Sequence, residues 1–437
     1  MSEAPAPLAA LARRPAADPV LVWPGGAMTA GEVRARIAER AVVARTAVRR
    51  DGLFRVAVHD RVDCLVDVLA GLSLGGPVAV LDPGRPEFDA DLAALAPAAG
   101  TGPALWVPTS GTTGPARIAM LPAAALDAHV AASAALLPPL GSGDRWLVCL
   151  PPHTIGALAA LWRVLAAGAT LAVLPRFDPA AARTLMADGA SHVSLVPAML
   201  APLAAVAAPP PRNLRCLLSG GGPLSAEAAA VARQQGWPLW QGWGMTETCS
   251  HVAAGPVDET WQPGTVGRPL PGATLDLQPD DGRIRITGPM VMAGYAQPGG
   301  AGGKGLEPGG SLLSNDVGEW LPDGRLRLLG RADTVIVSGG VNVQPEAVES
   351  ALLECPGVDE AGVTGRPDPR WGALLVAVYA GPAAPGAVAA WAASQLPSAR
   401  RPRRFIRVAQ LPRNAMGKIS RTELAQLGLE AEAGPVG

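Results

Sequence analysis

Charged residues are scarce in this chain of 437 residues. Only 17% of the residues are Asp, Glu, Lys or Arg, the formal net charge is −1, and 49% of the residues are hydrophobic. A disordered chain has the opposite balance, so this composition predicts a folded enzyme with a large buried core. Because positive charge is not in excess, nothing in the sequence favours nucleic acid as a partner.

Cysteines with the spacing of metal ligands are also lacking. The cysteines are odd in number and far apart, with no Cys-x-x-Cys pair and no Cys/His ligand pattern: Cys64, Cys149, Cys216, Cys249 and Cys355. Scattered thiols of this kind are typical of a reducing compartment. We therefore expect a cytoplasmic protein whose cysteines are unpaired.

No uninterrupted hydrophobic run is long enough for a membrane. The most apolar long region, Trp146 to Leu174, is broken by two prolines, a histidine and an arginine: Pro151, Pro152, His153 and Arg163. A buried strand, helix and strand explain it better than a membrane span. Residues 1–19 lack a continuous apolar core followed by a cleavage site, so no signal peptide is expected.

What is present is an alternation of short apolar strands and Ala/Leu-rich helices. Predicted strands such as Pro77–Leu81 and His192–Val196 are separated by predicted helices such as Ile155–Ala167 and Pro179–Ala187. This pattern indicates parallel sheets covered by helices on both faces. Ligands bind such sheets in the loops beyond the carboxyl ends of the strands.

The length exceeds one ordinary core, and the pattern changes after about Gly255. Short strands with turn signals then indicate an antiparallel β-subdomain, and the glycine-rich stretch 297–310 is predicted to be a mobile loop. We expect an α/β N-terminal domain over residues 1–331, made of parallel sheets covered by helices plus this β-subdomain. A small α+β C-terminal domain is expected over residues 332–437.

One loop combines hydroxyls, glycines and a cation directly after an apolar run. Glycines let the backbone approach a ligand closely, and successive amide and hydroxyl groups can bind phosphate oxygens. An arginine adds a fork of donors suited to phosphate. The spacing is not the Walker pattern, and from the loop alone a solvated polar turn has similar weight. The loop is Thr109, Ser110, Gly111, Thr112, Thr113 and Gly114, followed by Arg117.

Four further segments carry polar or glycine-rich motifs: Gln241–Thr248, Ser314–Asp316, Gly330–Asp333 with Ser338–Gly340, and Pro412–Ile419. In order and separation, these segments and the loop resemble the adenylate-forming superfamily of acyl-CoA synthetases, adenylation domains and luciferases. The resemblance runs from about Leu21 to Leu424. It implies that a carboxylate attacks the α-phosphate of ATP to give acyl-AMP and pyrophosphate, after which a nucleophile, usually a thiol, displaces AMP.

The resemblance implies a nucleotide site. Its phosphate loop is the Thr109–Gly114 loop with Arg117, a position usually occupied by lysine, so binding should survive while pyrophosphate release is in doubt. The backbone near adenine includes Gly220, Gly221 and Gly244. Trp243 would stack on adenine, with an ordinary core tryptophan as the alternative. Ribose would be held by Asp316 and Arg331.

The resemblance also implies the catalytic groups. Lys418 would bridge the substrate carboxylate and the α-phosphate, and Thr246 would contact the α-phosphate. Glu247 would bind Mg²⁺, which prefers hard oxygen ligands. Asp333 would be the hinge of a mobile C-terminal lid that rotates between the half-reactions.

The acid and the acceptor are less closely defined by the motifs. His153, Gly222 and Gly242 match segments near the acyl group, although a helix-start histidine explains His153 equally well. No aspartate is available for an α-amino group, so an aryl or acyl carboxylate is expected, and the region through Leu174 is most similar to o-succinylbenzoate-type synthetases. Gly339 and Gly340 resemble the loop near the acceptor thiol, or form a tight turn.

Coenzyme A is the expected acceptor, and the phosphopantetheine of a carrier protein is the alternative. A basic cluster could meet either partner or be simply solvated: Arg400, Arg401, Arg403 and Arg404. Two other functions remain open at this point. One is a stand-alone adenylating enzyme that loads a carrier or forms an amide, and the other is an inactive nucleotide-binding sensor.

Overall fold

The computed structural model describes most of the chain. The described residues are 5–57, 61–81, 92, 104–109, 117–174, 176–206, 209–297, 300–303, 305–413 and 419–430. Predicted site residues that lie outside the described residues are Ser110, Gly111, Thr112, Thr113, Gly114 and Lys418.

Helices and strands alternate along the described part of the chain. In chain order, the α-helices are α1 (Ala6–Arg13), α2 (Ala30–Asp51), α3 (Arg61–Leu72), α4 (Ala123–Leu136), α5 (Ile155–Ala167), α6 (Pro179–Ala187), α7 (Leu200–Ala204), α8 (Ala226–Gln234), α9 (Pro345–Leu353), α10 (Pro385–Gln395) and α11 (Arg421–Glu430). The strands are β1 (Pro19–Trp23), β2 (Gly26–Thr29), β3 (Phe54–Ala57), β4 (Pro77–Leu81), β5 (Ala104–Pro108), β6 (Ile118–Pro122), β7 (Arg145–Val148), β8 (Thr170–Val173), β9 (His192–Leu195), β10 (Cys216–Ser219), β11 (Leu239–Met245), β12 (Ser250–Pro256), β13 (Thr265–Pro269), β14 (Thr274–Leu277), β15 (Arg283–Thr287), β16 (Gly294–Gln297), β17 (Gly300–Gly302), β18 (Leu312–Trp320), β19 (Leu326–Arg331), β20 (Ile336–Ser338), β21 (Val341–Val343), β22 (Glu360–Asp368), β23 (Gly372–Ala380) and β24 (Arg404–Val408).

Local sequence fixes where several helices begin. At α2, the Thr29 hydroxyl accepts from the Glu32 amide while the Glu32 carboxylate accepts from the Thr29 amide, which forms a capping box. Asp178 caps α6 and Ser225 caps α8, each by accepting a backbone N–H three residues later. These side chains satisfy amide groups that have no partner inside the helix.

The largest sheet contains thirteen of the described strands, in the order β14-β15-β18-β19-β13-β12-β11-β10-β9-β7-β8-β1-β2. Its central strands, from β11 through β8 to β1, pair in parallel. Strands β8, β9 and β10 are buried along their whole length, as expected where helices cover both faces. From β12 to β14 the sheet is antiparallel, as predicted for the region after Gly255.

The second sheet has the order β17-β16-β6-β5-β4-β3. It brings β16, from the far end of the N-terminal region, against β6. The prediction of a mobile loop over 297–310 is wrong for residues 300–302, which form β17 and pair with β16.

A separate small sheet, β21-β20-β23-β22 with β24 beside β23, packs with α9 and α10 in the C-terminal part. The predicted α+β character of this part is therefore confirmed, and so is the α/β character of the larger N-terminal part. Among the described residues, no helix combines the length and the apolar character that a membrane span requires.

Candidate active site

Parallel strand pairing brings two glycine segments together at one edge of the large sheet. Ser219 at the end of β10 stands opposite Gln241 of β11. An ideal Cβ on Gly220 would lie 3.4 Å from the Gly242 carbonyl oxygen. The side-chain amide nitrogen of Gln241, Nε2, donates to the Gly222 carbonyl at 3.3 Å. Segments 220–222 and 241–245 thus line the same crevice, where parallel sheets bind ligands.

The segment after Gln241 continues strand β11 as far as Met245. Gly242 and Trp243 pair with Ala254 and Ala253 of β12, and the ladder shifts register before Gly244. An ideal Cβ on Gly244 would lie 2.0 Å from the Ser250 carbonyl oxygen. Glycine is therefore required here because β12 approaches the backbone closely.

The predicted adenine and ribose residues are joined directly. The Trp243 indole nitrogen donates to Asp316 Oδ2 at 2.7 Å, and Arg331 Nη1 donates to Asp316 Oδ1 at 3.2 Å. Asp316 of β18 stands opposite Arg331 of β19 in the ladder. Because Trp243 is only 6% exposed and belongs to the main hydrophobic core, the core-tryptophan interpretation also holds.

Arg331 connects this carboxylate to the predicted hinge. Its Nε donates to Asp333 Oδ1 at 2.9 Å and its Nη2 to Asp333 Oδ2 at 2.7 Å, while Asn315 donates to Asp333 Oδ2 at 2.9 Å. Burial opposes ionisation of Asp333, but hydrogen bonds and charge from Arg331 outweigh it and lower the pKa of the carboxyl. Asp333, the predicted hinge, is therefore held as an ionised partner of Arg331.

The described ends of the phosphate-loop motif are hydrogen bonded to each other. The Thr109 amide donates to the Arg117 carbonyl at 2.7 Å, and the Arg117 amide donates to the Thr109 hydroxyl at 3.3 Å. Thr109 is 6% exposed. The motif therefore starts and ends at a fixed point between β5 and β6.

Tyr295 is a site residue that the sequence motifs did not indicate. Its hydroxyl donates to Glu247 Oε1 at 2.6 Å, and the guanidinium carbon of Arg117 lies 4.0 Å from its ring centre. Burial raises the pKa of Tyr295 and the Glu247 charge raises it further, so the phenol keeps its proton and donates. Only the pairing of β16 with β6 brings it here. The only feature of the sequence that could have drawn attention to Tyr295 is that the chain has just two tyrosines.

Glu247 suits a magnesium ion bound together with phosphates. The residue is 9% exposed and follows Thr246 in a short 3₁₀ turn, and within the described residues no hydrogen bond occupies its second carboxylate oxygen. No group of three or more His, Cys, Asp or Glu side chains with metal-binding geometry occurs among the described residues. A single carboxylate fits Mg²⁺, which is usually held by one or two carboxylates plus substrate phosphates and water.

Helix α5 connects the predicted acyl-pocket histidine to a buried cation. His153 lies just before the helix start, and Arg163 lies two turns along it with 4% exposure. Burial lowers the pKa of Arg163 to about 10, and its Nη2 contacts His251 Nδ1 at 3.2 Å. Within the described residues, no Asp or Glu forms an ion pair with Arg163. In the sequence, Arg163 stands out only as an interruption of an apolar run.

The predicted acceptor loop is a tight turn between β20 and β21. Gly339 and Gly340 have φ of 58° and 79°, which suits a two-residue hairpin turn. The Gly339 amide donates to the Trp371 carbonyl at 2.8 Å. Trp371 is 36% exposed, and the guanidinium carbons of Arg370 and Arg403 lie 5.3 and 5.7 Å from its ring.

Comparison with known proteins places these features in a family. Residues 85–296 match the family described as AMP-binding enzyme, and residues 347–418 match its C-terminal domain. The chain is 36% identical over 328 residues to the 2-succinylbenzoate–CoA ligase of Bacillus licheniformis, covering 72% of this chain and 68% of the relative. The ligase of Geobacillus kaustophilus is 35% identical, covering 65% of this chain and 61% of the relative. The chain thus spans roughly two thirds of these relatives' lengths.

Solved structures show the same likeness over the whole chain. The o-succinylbenzoate CoA synthetase of Bacillus subtilis with its acyl-adenylate intermediate superposes with a TM-score of 0.86 at 25% identity, covering 100% of this chain and 99% of that one. The same synthetase with ATP and magnesium gives 0.85 at 25% identity, covering 97% and 99%. ATP-bound MatB of Rhodopseudomonas palustris gives 0.83 at 24% identity, covering 98% and 99%, and shows the fold alone.

These likenesses confirm the superfamily, the fold class and the reaction class that the motifs predicted. The reaction is ATP-dependent activation of a carboxylic acid followed by transfer to a thiol, and ATP, Mg²⁺ and CoA are its reactants and cofactors. The chain therefore belongs to the AMP-binding enzyme family, as an adenylate-forming acyl-CoA synthetase.

Proposed function

We propose that this ligase activates an aromatic dicarboxylic acid of the 2-succinylbenzoate type and transfers it to CoA. Buried Arg163 carries the proposal. A buried guanidinium without a carboxylate partner is costly, so a site that retains one gains by receiving an anion. The curated relatives act on 2-succinylbenzoate, an acid that keeps a second carboxylate after the first is adenylated.

Arg163 is connected to the crevice through His251. Arg163 Nη2 lies 3.2 Å from His251 Nδ1, and an ideal Cβ on Gly242 would lie 3.3 Å from the His251 Cβ. Burial, with a further contribution from the Arg163 charge, lowers the pKa of His251 well below its usual value, so His251 is neutral. In the pair of Arg163 and His251, only Arg163 therefore carries a positive charge that could face the acyl group.

The remaining roles follow the motifs. Glu247 binds Mg²⁺, whose charge offsets that of the phosphates, and Thr246 contacts the α-phosphate. Asp316 accepts from the ribose hydroxyls with lone pairs not used by Trp243. Lys418 bridges the carboxylate and the α-phosphate, and Asp333 is the hinge of the lid.

The surface beside the acceptor turn favours CoA over a carrier protein. Trp371 offers an exposed ring for a purine, and Arg370 and Arg403 offer donors for phosphates. A phosphopantetheine arm on a carrier has no adenine to stack there. Product analysis with CoA, holo-carrier and amines distinguishes these acceptors, and Trp371→Ala should raise the KM for CoA while leaving the KM for ATP unchanged.

We also infer a cytoplasmic location. All five cysteines are buried, and burial raises the pKa of Cys216 to about 12. Buried, unpaired cysteines fit a reducing compartment, where disulfides are rare. Locating a tagged chain by fractionation, with a periplasmic and a cytosolic marker, tests this inference.

The substrate proposal is tested by pyrophosphate exchange with matched acids. We expect 2-succinylbenzoate to support exchange far better than the same acid without its ring carboxylate. Arg163→Met should lower kcat/KM for the dicarboxylate on the order of 100-fold, the scale of an unpaired buried charge, and should remove the preference. Arg183→Met is the control, since Arg183 is also buried, lying 4.9 Å from the Trp237 ring. An unchanged preference in Arg163→Met contradicts the proposal.

A further inference from the structure

Tyr295 contacts both Arg117, which is assigned to the phosphates, and Glu247, which is assigned to their magnesium ion. The Tyr295 hydroxyl donates to Glu247 at 2.6 Å, and Arg117 lies over its ring at 4.0 Å. Tyr295 is 4% exposed. A phenol hydrogen bonded to a carboxylate and a ring beneath a guanidinium are both favourable pairings, and both are stronger where water is excluded.

The backbone fixes this arrangement from two sides. Tyr295 of β16 stands opposite Ala119 of β6, and Arg117 lies directly before β6, two residues ahead of Ala119. Arg117 thus reaches Tyr295 diagonally across the ladder. On the other side, the Met292 amide donates to the Glu247 carbonyl at 2.8 Å. The segment that carries Tyr295 is therefore tied to both partners.

We propose that Tyr295 is a positioning residue for adenylation, which sets Arg117 and Glu247 at the separation that one magnesium-bound triphosphate requires. The phenol engages Oε1 of Glu247 and would leave the other carboxylate oxygen for Mg²⁺. Its ring contacts the Arg117 guanidinium and would hold this cation in place for the phosphates. The inference rests on the proposed role of Glu247 as a magnesium ligand.

The other tyrosine provides a matched control. Tyr379 is 0% exposed in the C-terminal core, and its hydroxyl donates to the Ala383 carbonyl at 2.8 Å. In a Phe variant it therefore loses a hydrogen bond to a neutral carbonyl, whereas Tyr295 loses one to a carboxylate. An effect common to Tyr295→Phe and Tyr379→Phe is structural, and an effect confined to Tyr295→Phe is positional.

Calorimetric titration of ATP, with and without Mg²⁺ and without any acid substrate, tests the proposal. Tyr295→Phe keeps the ring beneath Arg117 and removes only the hydrogen bond to Glu247. We expect it to weaken binding of magnesium–ATP about 10-fold, the scale of one charged hydrogen bond, and to leave magnesium-free ATP within about twofold. Tyr379→Phe should change neither affinity. Equal weakening with and without Mg²⁺, or no weakening, overturns the proposal.

Fluorine NMR gives a second readout that does not depend on turnover. Because the chain has two tyrosines, labelling with 3-fluorotyrosine gives two resonances, assigned by the two Phe variants. Adding Mg²⁺ to the ATP-bound protein should move the Tyr295 resonance alone, and Glu247→Gln should abolish that movement. If Glu247→Gln removes the Mg²⁺ dependence of binding and Tyr295→Phe does not, the metal site stands and the tyrosine inference fails. If Glu247→Gln keeps that dependence, the metal assignment fails and the inference with it.

Discussion

Trp243 donates its indole N–H to Asp316 at 2.7 Å, although the two residues are 73 positions apart in the chain. The aromatic residue assigned to the base thereby orients the carboxylate assigned to the sugar. A hydrogen bond to a charged acceptor contributes more than a neutral one, about 1.5–3 kcal/mol. The two proposed roles, base stacking by Trp243 and ribose binding by Asp316, are therefore linked through one hydrogen bond.

Replacing Trp243 with Phe should impair ribose recognition while an aromatic ring is kept. We expect the KM for ATP to rise about 10-fold, because Asp316 loses a charged hydrogen bond. The preference for ATP over 2′-deoxy-ATP should shrink. Trp162→Phe is the control, since the buried Trp162 indole donates to the Asp127 carboxylate at 3.0 Å in α4. Equal discrimination in both variants would contradict the linkage.

Lys418 should be needed for one half-reaction and dispensable for the other. The chain has only two lysines, Lys304 and Lys418. Lys418→Ala should lower adenylation by about 10²-fold or more, the usual scale for a lost electrostatic contact at the reacting centre. Thioester formation from supplied acyl-AMP should be spared. Lys304→Ala should leave both rates unchanged, and normal adenylation by Lys418→Ala would reject the assigned role.

The sequence predicts local structure well, but it does not predict contacts between residues that are far apart in the chain. Helices α5 and α6 and strand β4 match their predicted bounds, because periodicity and flanking residues are local signals. The order of motifs also predicts the pairing of Asp316 with Arg331 at one site. In contrast, Tyr295 and His251 reach the site by strand pairing, which a single sequence does not specify. The glycines of Gly242–Met245 serve close strand packing, a contact that the motif alone does not indicate.

Gly244→Ala should destabilise the fold strongly. Its Cβ would lie 2.0 Å from the Ser250 carbonyl, so β11 and β12 must separate. We expect a loss of about 3 kcal/mol or more, at the upper end of overpacking effects. Urea denaturation measures this loss, with Gly143→Ala as the control because an ideal Cβ at Gly143 would meet nothing within 4 Å. Similar midpoints for the two variants would contradict the packing argument.

Acidification below about pH 6.5, the ordinary pKa of histidine, should destabilise the folded protein. Burial, with a contribution from the Arg163 charge, lowers the pKa of both His129 and His251 well below 6.5. The unfolded chain then binds more protons than the native state once the pH falls below about 6.5, so stability is present above that pH and is lost on acidification. Urea midpoints between about pH 7.5 and about pH 5 test this slope. His129→Gln should flatten it, and an unchanged slope would count against the neutral, buried state of His129.

Three donors of Arg331 bond two carboxylates with different proposed roles, Asp316 for the ribose and Asp333 for the hinge. A guanidinium is planar and rigid, so turning one end of it turns the other. Binding equilibria that share such a group are reciprocal: whatever factor the lid orientation applies to nucleotide affinity, the nucleotide applies to the lid. If Asp316 binds the ribose and Asp333 is the hinge of the lid, as we propose, this arginine couples release of AMP to repositioning of the lid, and a substitution at Arg331 should change both.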